Sequence, residues 1–201
     1  MRQVRTLFWD VGGVLLSNAW DHQERQRAVE QFHLQKDEFE ASHKQVVADF
    51  ETGKMTLDQY LERTVFYQSR RFTREEFKRY MLSQSRAKQE TLDFARALAT
   101  KWVMSTINNE SRELNEYRIR TFELTKIFDL FVSSCYVGLR KPDERIYRLA
   151  IDLVQKDPQE TCFIDDRPEN IEGAQKIGMR TILVQNFPQL KNDLQSLGIE
   201  S

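Results

Sequence analysis

Four short stretches carry residues whose types could do chemistry together. Asp10 ends an apolar run in "LFWDVGGVLL", and Gly12 and Gly13 follow it. Asn108 and Asn109 end a second apolar run. Lys141 stands in "GLRKPDERIY", and Asp165 and Asp166 close "CFIDD", with Asn170 four residues beyond the second of them. Asp10 and Asp166, with Asp165 beside them and the backbone carbonyl of Gly12, form an oxygen donor set suited to Mg2+. Lys141 would offset the crowding of carboxylates and grip a phosphate oxygen. Asn108, Asn109 and the N–H groups of the Gly12-Gly13 turn would donate to the remaining oxygens. A carboxylate such as Asp10, held against a phosphorus atom neutralised in this way, is a nucleophile for phosphoryl transfer through an aspartyl phosphate.

Each residue has an innocent reading on its own. Strand-end Asp residues commonly cap turns, a Lys before Pro is commonly solvated, and paired acids commonly open a helix. The argument for chemistry is that all of them fall in order on one edge of the fold the pattern predicts. Residues 4–9 read as a strand buried on both faces. Residues 19–89 change composition toward Glu, Gln, Lys, Arg and Phe, with Gly53 the only glycine, and read as about four short helices. There Leu57, Tyr60 and Leu61 share a face, and "TREEF" reads as a capping box between Thr73 and Glu76. Beyond it a helix over residues 89–100 leads to the strand "KWVMSTIN". The helix "ESRELNEYRIRTF" and the strand "LFVSSC" follow. A helix starting at Pro142 carries Ile146, Leu149, Ala150 and Leu153. The strand "CFID", a helix over residues 169–176 and the strand "TILV" complete the pattern.

Strict alternation of strand and helix implies right-handed crossovers and a parallel sheet covered on both sides. The predicted fold is α/β: a doubly wound, Rossmann-like parallel sheet, with a small all-helical cap inserted after the first strand. Residues 1–17 and 90–201 would form the core domain, and residues 18–89 the cap. Ligands of such sheets bind at the carboxyl ends of the strands, where the candidate residues stand.

The chain has 201 residues, 40% hydrophobic and 30% charged; 30 basic side chains against 31 acidic give a formal net charge of -1. No global field attracts nucleic acid or an anionic membrane. Arg2 and Arg5 precede an apolar stretch, but Asp10 interrupts it, unlike a signal peptide. No apolar run approaches a membrane span. Two cysteines, Cys135 and Cys162, fit a reduced compartment, so a cytoplasmic location is expected. The sequence is silent on oligomeric state.

The stretches "FWDVGGVLL", "STINNESRE", "GLRKPDERIY" and "CFIDDRPENIEGAQKIGMRTILV" resemble, in order, the four motifs of the haloacid dehalogenase-like hydrolase superfamily. Within it, "DDRPENIEGA" and "GLRKP" are most similar to the sugar-phosphate phosphatases and to the N-terminal phosphatase domain of epoxide hydrolases. The resemblance implies that Asp10 is the nucleophile and that Asp166 ligates Mg2+ directly, with Asp165 in the outer shell or sharing the role. It implies that Lys141 binds phosphate and steadies Asp10. Asn108 fills a slot that is usually Ser or Thr, with Thr106 the alternative. Asn170 falls where other members have a further acid. One departure stands out. Phosphatases of the family commonly carry an Asp two residues after the nucleophile as general acid and base, and here that position is Gly12. General acid–base help is typically worth 10²- to 10⁴-fold, or about 3–5 kcal/mol of barrier.

The expected function is a Mg2+-dependent phosphatase acting on a small phosphorylated metabolite, with sugar phosphates the first candidates. Substrate contacts from the cap would come from Asn18, Trp20, Asp21, His43, Phe50, Glu51, Phe66 or Tyr67, Trp20 foremost; the competing reading makes the aromatics cap core. The alternatives are a non-catalytic binding or regulatory protein on the same fold, and a 2-haloacid dehalogenase, which would not need the Asp165-Asp166 pair.

Overall fold

A computed structural model of the chain describes residues 3–200. In chain order the elements are β1 (Thr6–Trp9), α1 (His22–Gln31), α2 (Lys36–Glu51), α3 (Leu57–Thr64), α4 (Arg74–Ser83), α5 (Gln89–Leu98), β2 (Val103–Asn108), α6 (Arg112–Thr121), β3 (Leu130–Ser133), α7 (Ser134–Val137), α8 (Glu144–Val154), β4 (Thr161–Asp165), α9 (Pro168–Lys176), β5 (Arg180–Leu183) and α10 (Phe187–Ser196).

The five strands pair in the order β3-β2-β1-β4-β5, and every pairing is parallel. Strand residues alternate between two apolar layers, as a pleat requires. Leu7, Trp9, Met104 and Ile164 pack with Leu92 and Leu98 of α5 and Leu190 and Leu194 of α10. Phe8, Ile107, Val132 and Phe163 face the other way, against Ile146 and Tyr147 of α8 and Ile171 and Ala174 of α9. From β1 the chain moves outward to β2 and β3, then crosses to β4 and β5 on the other side, so the strand order reverses between β1 and β4, which is where open α/β sheets leave a crevice. Register puts Trp9 level with Thr106 of β2 and Ile164 of β4, so Asp10 emerges at the same edge as Asn108 and Asp165.

Helices α1 to α4 form a separate layer between β1 and α5. It has its own apolar cluster, including Trp20, Phe39, Phe50, Tyr60, Leu61, Phe77 and Met81, joined by Leu114 of α6. The capping box at Thr73 and Glu76 is present, and a second joins Thr56 and Gln59. Leu57, Tyr60 and Leu61 share the buried face of α3. Among the described residues no helix is long and apolar enough to cross a membrane, and both cysteines are free and buried.

Four local expectations change. Pro142 does not start α8: the Lys141-Pro142 peptide is cis, and the cap is Asp143, whose carboxylate accepts from the Arg145 N–H. The buried stripe of α8 is Ile146, Tyr147, Ala150 and Ile151, while Leu153 is exposed and Leu149 half-buried. Cys135 lies in α7 rather than in the third strand. Helix α10 was not expected, because its apolar signal reduces to Leu190 and Leu194, one turn apart.

Candidate active site

Asp10 leaves β1 directly after its last residue. Its N–H donates to the Ile164 carbonyl (2.8 Å), so the turn that follows is anchored to β4. Its carboxylate is buried, with Oδ1 2.8 Å from Lys141 Nζ. The same ammonium lies 2.6 Å from Asp165 Oδ2. Lys141 can be held so tightly because Asn109 clasps its backbone at both ends: Nδ2 donates to the Lys141 carbonyl (2.9 Å) and Oδ1 accepts from its N–H (2.8 Å). Asp165 is fully buried and also accepts from the Arg167 N–H (2.8 Å) and from Asn170 Nδ2 (3.0 and 3.1 Å). Asn170, in the first turn of α9, is in turn fixed by Tyr147, whose hydroxyl donates to its carbonyl.

One ammonium thus faces three carboxylates, since Asp10, Asp165 and Asp166 each bring an oxygen within 4.8 Å of the others. Burial pushes the Asp10 carboxyl up to about 7; Lys141 opposes the rise, and Asp165 and Asp166 add to it. Asp166 is likewise raised, first by burial and then by Asp165. Burial acts against the Lys141 ammonium, but Asp10 and Asp165 outweigh it and its pKa is raised.

A divalent cation fits this excess of negative charge. Asp166 Oδ1 is buried and has no hydrogen-bond partner. Asp165, by contrast, has committed its oxygens to Lys141, Asn170 and the Arg167 N–H. Gly13 makes the room: at φ +81 its missing Cβ would lie 2.0 Å from Asp166 Oδ2. Asp10 and Asp166 are therefore residues that could hold Mg2+, with Asp165 behind them. Hard oxygen donors of this kind suit that ion.

Several expected contributors stand elsewhere. The Gly13 N–H donates to the Leu16 carbonyl (2.8 Å) and the Gly13 carbonyl accepts from Lys88, so this residue is no phosphate donor. Asn108 is buried with its amide consumed: Nδ2 donates to Asn115 Oδ1 (3.0 Å) and Oδ1 accepts from Ser133 Oγ (2.8 Å). Thr106 is no substitute, because it is fully buried within β2 with an unpartnered hydroxyl. Asn109 is the member of the pair that reaches the cavity wall.

That cavity, of about 340 Å³, opens between Asp10, Gly12 and Lys141 on one side and the helical insertion on the other. Asn18, Trp20, Asp21, His43, Phe50 and Glu51 reach it. Trp20 is both core and wall: it packs edge-on against Phe39 and Phe77, and its indole N–H donates to Tyr60 Oη (2.9 Å). Tyr60, having accepted from Trp20, is left to donate its own proton to His43 Nδ1 (2.9 Å), which assigns the ring hydrogen to Nε2. Burial, and then Arg25, bring the His43 pKa down to about 4, so the imidazole is neutral. Phe50 stacks on the Tyr60 ring at 4.2 Å. Phe66 and Tyr67 do not take part. Phe66 sits in an aromatic cluster with Phe72 and Phe77, and Tyr67 is exposed, donating to Glu38 Oε2 (2.6 Å).

Six charged residues at the cavity were not anticipated, the exposed Glu169 at the start of α9 among them. Arg140 and Arg167, each next to an anticipated residue, pair with Glu51 (2.7 Å) and Asp21 (2.8 Å) and so tie the insertion to the sheet edge. Arg25 is bidentate to Glu40 and donates to the Trp20 carbonyl. Glu110 Oε2 lies 2.9 Å from Nη1 of the buried Arg118, which also donates to the Ser17 carbonyl (2.7 Å). Glu110 follows the Asn pair directly, which was the available signal. Arg118 gave none, since a charged residue in a polar helix is ordinarily solvated.

A parallel sheet with carboxylates on adjoining strand ends, bridged by a lysine, defines a class of enzyme. The chain belongs to the haloacid dehalogenase-like hydrolases, whose family model matches residues 4–178. It is 31% identical over 170 residues to Flavin mononucleotide hydrolase 1 of Arabidopsis thaliana, spanning 80% of this chain and 65% of that one. It is 37% identical over 75 residues to Bifunctional epoxide hydrolase 2 of Mus musculus, spanning 37% of this chain and only 14% of that protein's length. (S)-2-haloacid dehalogenase 4A of Burkholderia cepacia is 26% identical over 104 residues, 48% of this chain and 45% of its own. Among solved structures, a family enzyme of Bacteroides thetaiotaomicron in complex with magnesium and inorganic phosphate superposes with a TM-score of 0.76 at 22% identity, over 93% of this chain and 98% of that one.

Proposed function

We propose that the protein is a Mg2+-dependent phosphatase that hydrolyses a small phosphorylated metabolite, sugar phosphates foremost, through an aspartyl phosphate on Asp10. The observation that carries this reading is the Lys141 ammonium bridging Asp10 and Asp165 beside an unpartnered, buried oxygen of Asp166. A dehalogenase nucleophile has no need of that third carboxylate. The Bacteroides enzyme, which carries magnesium and phosphate on the same fold, supports the choice.

In this reading Asp10 Oδ attacks phosphorus in line with the leaving oxygen. Lys141 aims Asp10 and neutralises charge on the phosphoryl oxygens. Asn109 keeps the Lys141 loop in place, and Asn170 and the Arg167 N–H hold the Asp165 carboxylate in position behind the lysine. Mg2+ held by Asp10, Asp166 and the Gly12 carbonyl would supply Lewis-acid neutralisation of the phosphate. The helical insertion, residues 18–89, acts as a cap on a core domain of residues 1–17 and 90–201. Its Trp20, His43 and Phe50 face the part of the substrate that leaves.

The test is turnover of an aryl phosphate by purified protein with and without Mg2+, and by Asp10→Asn. Phosphatase chemistry predicts activity that chelation and Asp10→Asn both abolish. Chloride release from a 2-haloacid without Mg2+ would support a dehalogenase instead. No turnover of either substrate would support a non-catalytic protein.

A further inference from the structure

Hydrolysis of an alcohol phosphate needs a proton for the departing oxygen, and later a base for the proton of the attacking water. Gly12 has no side chain to serve either step. Glu110 lines the same cavity as Gly12. Glu110 follows Asn109 at the edge of β2, the strand paired to β1, and its N–H donates to Ser134 Oγ (2.9 Å), which fixes the loop. Its side chain is buried and lines the cavity. Oε1 accepts from the Ser111 N–H (3.0 Å), and Oε2 from Arg118 Nη1 (2.9 Å). That guanidinium nitrogen is 3.4 Å from the point where a Cβ on Gly12 would stand. Arg118 Nη1, with Asn18 Oδ1 at 3.5 Å, therefore borders the volume a longer residue at position 12 would occupy, and the same Nη1 holds the Glu110 carboxyl.

We propose that Glu110 is the catalytic proton carrier of the reaction, positioned beside Gly12 by Arg118; this rests on the phosphatase reading. As Asp10 bonds to phosphorus and the bond from phosphorus to the alcohol oxygen breaks, the proton on the Glu110 carboxyl passes to that oxygen. Glu110 is then a carboxylate paired with Arg118. When water attacks the aspartyl phosphate, its proton goes to Glu110, the bond from phosphorus to Asp10 breaks, and inorganic phosphate leaves. Both groups return to their starting forms. The charge state agrees with the geometry: burial brings the Glu110 pKa up to about 7, against the pull of Arg118. The other acids and bases at the cavity are less suited: Asp21 is paired with Arg167, and Glu169 is exposed. His43 is neutral with its Nδ1 committed to Tyr60, Lys141 is shared by two carboxylates, and Glu51 sits on the insertion, paired with Arg140.

The experiment compares wild type, Glu110→Gln and Glu51→Gln, with Mg2+, on p-nitrophenyl phosphate and on glycerol phosphate. Nitrophenolate departs without a proton; the alkyl alcohol does not. Glu110→Gln should keep the first-turnover burst of nitrophenolate within a few-fold of wild type. It should lose glycerol phosphate turnover by about 10²-fold or more. Glu51→Gln should leave the ratio of the two rates near the wild-type value. The proposal is overturned if Glu110→Gln leaves that ratio unchanged, if Glu51→Gln carries the loss, or if the wild type releases nitrophenolate but cannot use the alkyl ester. Should Glu110→Gln fail to fold with Arg118 unpaired, the double variant Glu110→Gln/Arg118→Met, which removes both buried charges, is read in the same way. A wild type without any Mg2+-dependent burst refutes the phosphatase reading itself, a separate result, and the proposal falls with it.

Discussion

Gly13 lets the carboxylate of Asp166 occupy the space that any other residue would fill with its Cβ. Gly13→Ala would force a left-handed backbone on a residue that resists it and push Asp166 aside. Disturbing the groups that orient a metal-binding carboxylate commonly costs 10- to 100-fold in metal affinity, so a loss of about that size is expected in a Mg2+ titration. The two acids of β4 should separate in the same assay. Asp166→Asn removes an oxygen with no other partner, so it should weaken Mg2+ binding more than Asp165→Asn does. Asp165→Asn should instead cost more stability, because it strips Lys141 of a buried counter-charge; a denaturant midpoint reads that difference. At this scale the sequence displayed Asp10, Lys141, Asp165 and Asp166, since a polar residue at the end of an apolar run needs no tertiary information. Asn108 misled because its partners, Asn115 on α6 and Ser133 on β3, meet it only in the folded chain. Arg118 stayed hidden for the same reason.

The insertion is held together by elements meeting at one hydroxyl. Tyr60 of α3 takes the Trp20 indole N–H and gives its proton to His43 of α2. Tyr60→Phe leaves two buried polar groups unpaired and should lower stability by about 1–3 kcal/mol, seen as a shift in denaturant midpoint at constant slope. The same contact predicts a pH dependence. The folded His43 pKa, about 4, lies below the ordinary 6.5, so between those values the unfolded chain binds the extra proton. Stability from this residue is full above pH 6.5 and is lost as pH falls toward 4. The raised carboxyls of Asp10 and Glu110 act in the opposite sense in both proteins, so the test is the difference: wild type should lose stability relative to His43→Asn as pH falls from 6.5 toward 4. The elements themselves were largely legible: composition marked the insertion, and Thr56 and Thr73 marked helix starts. The exceptions have physical causes. Proline at 142 looked like a first helical residue, but Asp143 beyond it makes the cap. On α8, Ile146 and Ala150 are buried as their spacing implies, but Leu149 and Leu153 resemble the rest of a stripe that Tyr147 and Ile151 supply.

At the scale of the whole molecule, the strand order brings Asp10 and Asp165 to the point where that order reverses, and the insertion covers that point. This was readable because alternating strands and helices restrict the topology to a few choices. How the helical layer meets the sheet edge was not readable, because the Arg140–Glu51 and Arg167–Asp21 pairs join residues far apart in the chain. Ligand linkage gives a global prediction: saturating Mg2+ at about 100 times its dissociation constant should stabilise the fold by about 2.7 kcal/mol. Asp166→Asn should lose most of that shift at the same concentration. The central claim is that Asp10 carries the phosphoryl group during turnover. The most direct measurement is an acid quench of the protein during Mg2+-dependent turnover of an aryl phosphate, followed by mass analysis of the peptide that contains Asp10. The expected result is one added phosphoryl group on that peptide, on Asp10, absent when Mg2+ is chelated. Turnover without any phosphoryl group on Asp10, or with it on another residue, would contradict the account.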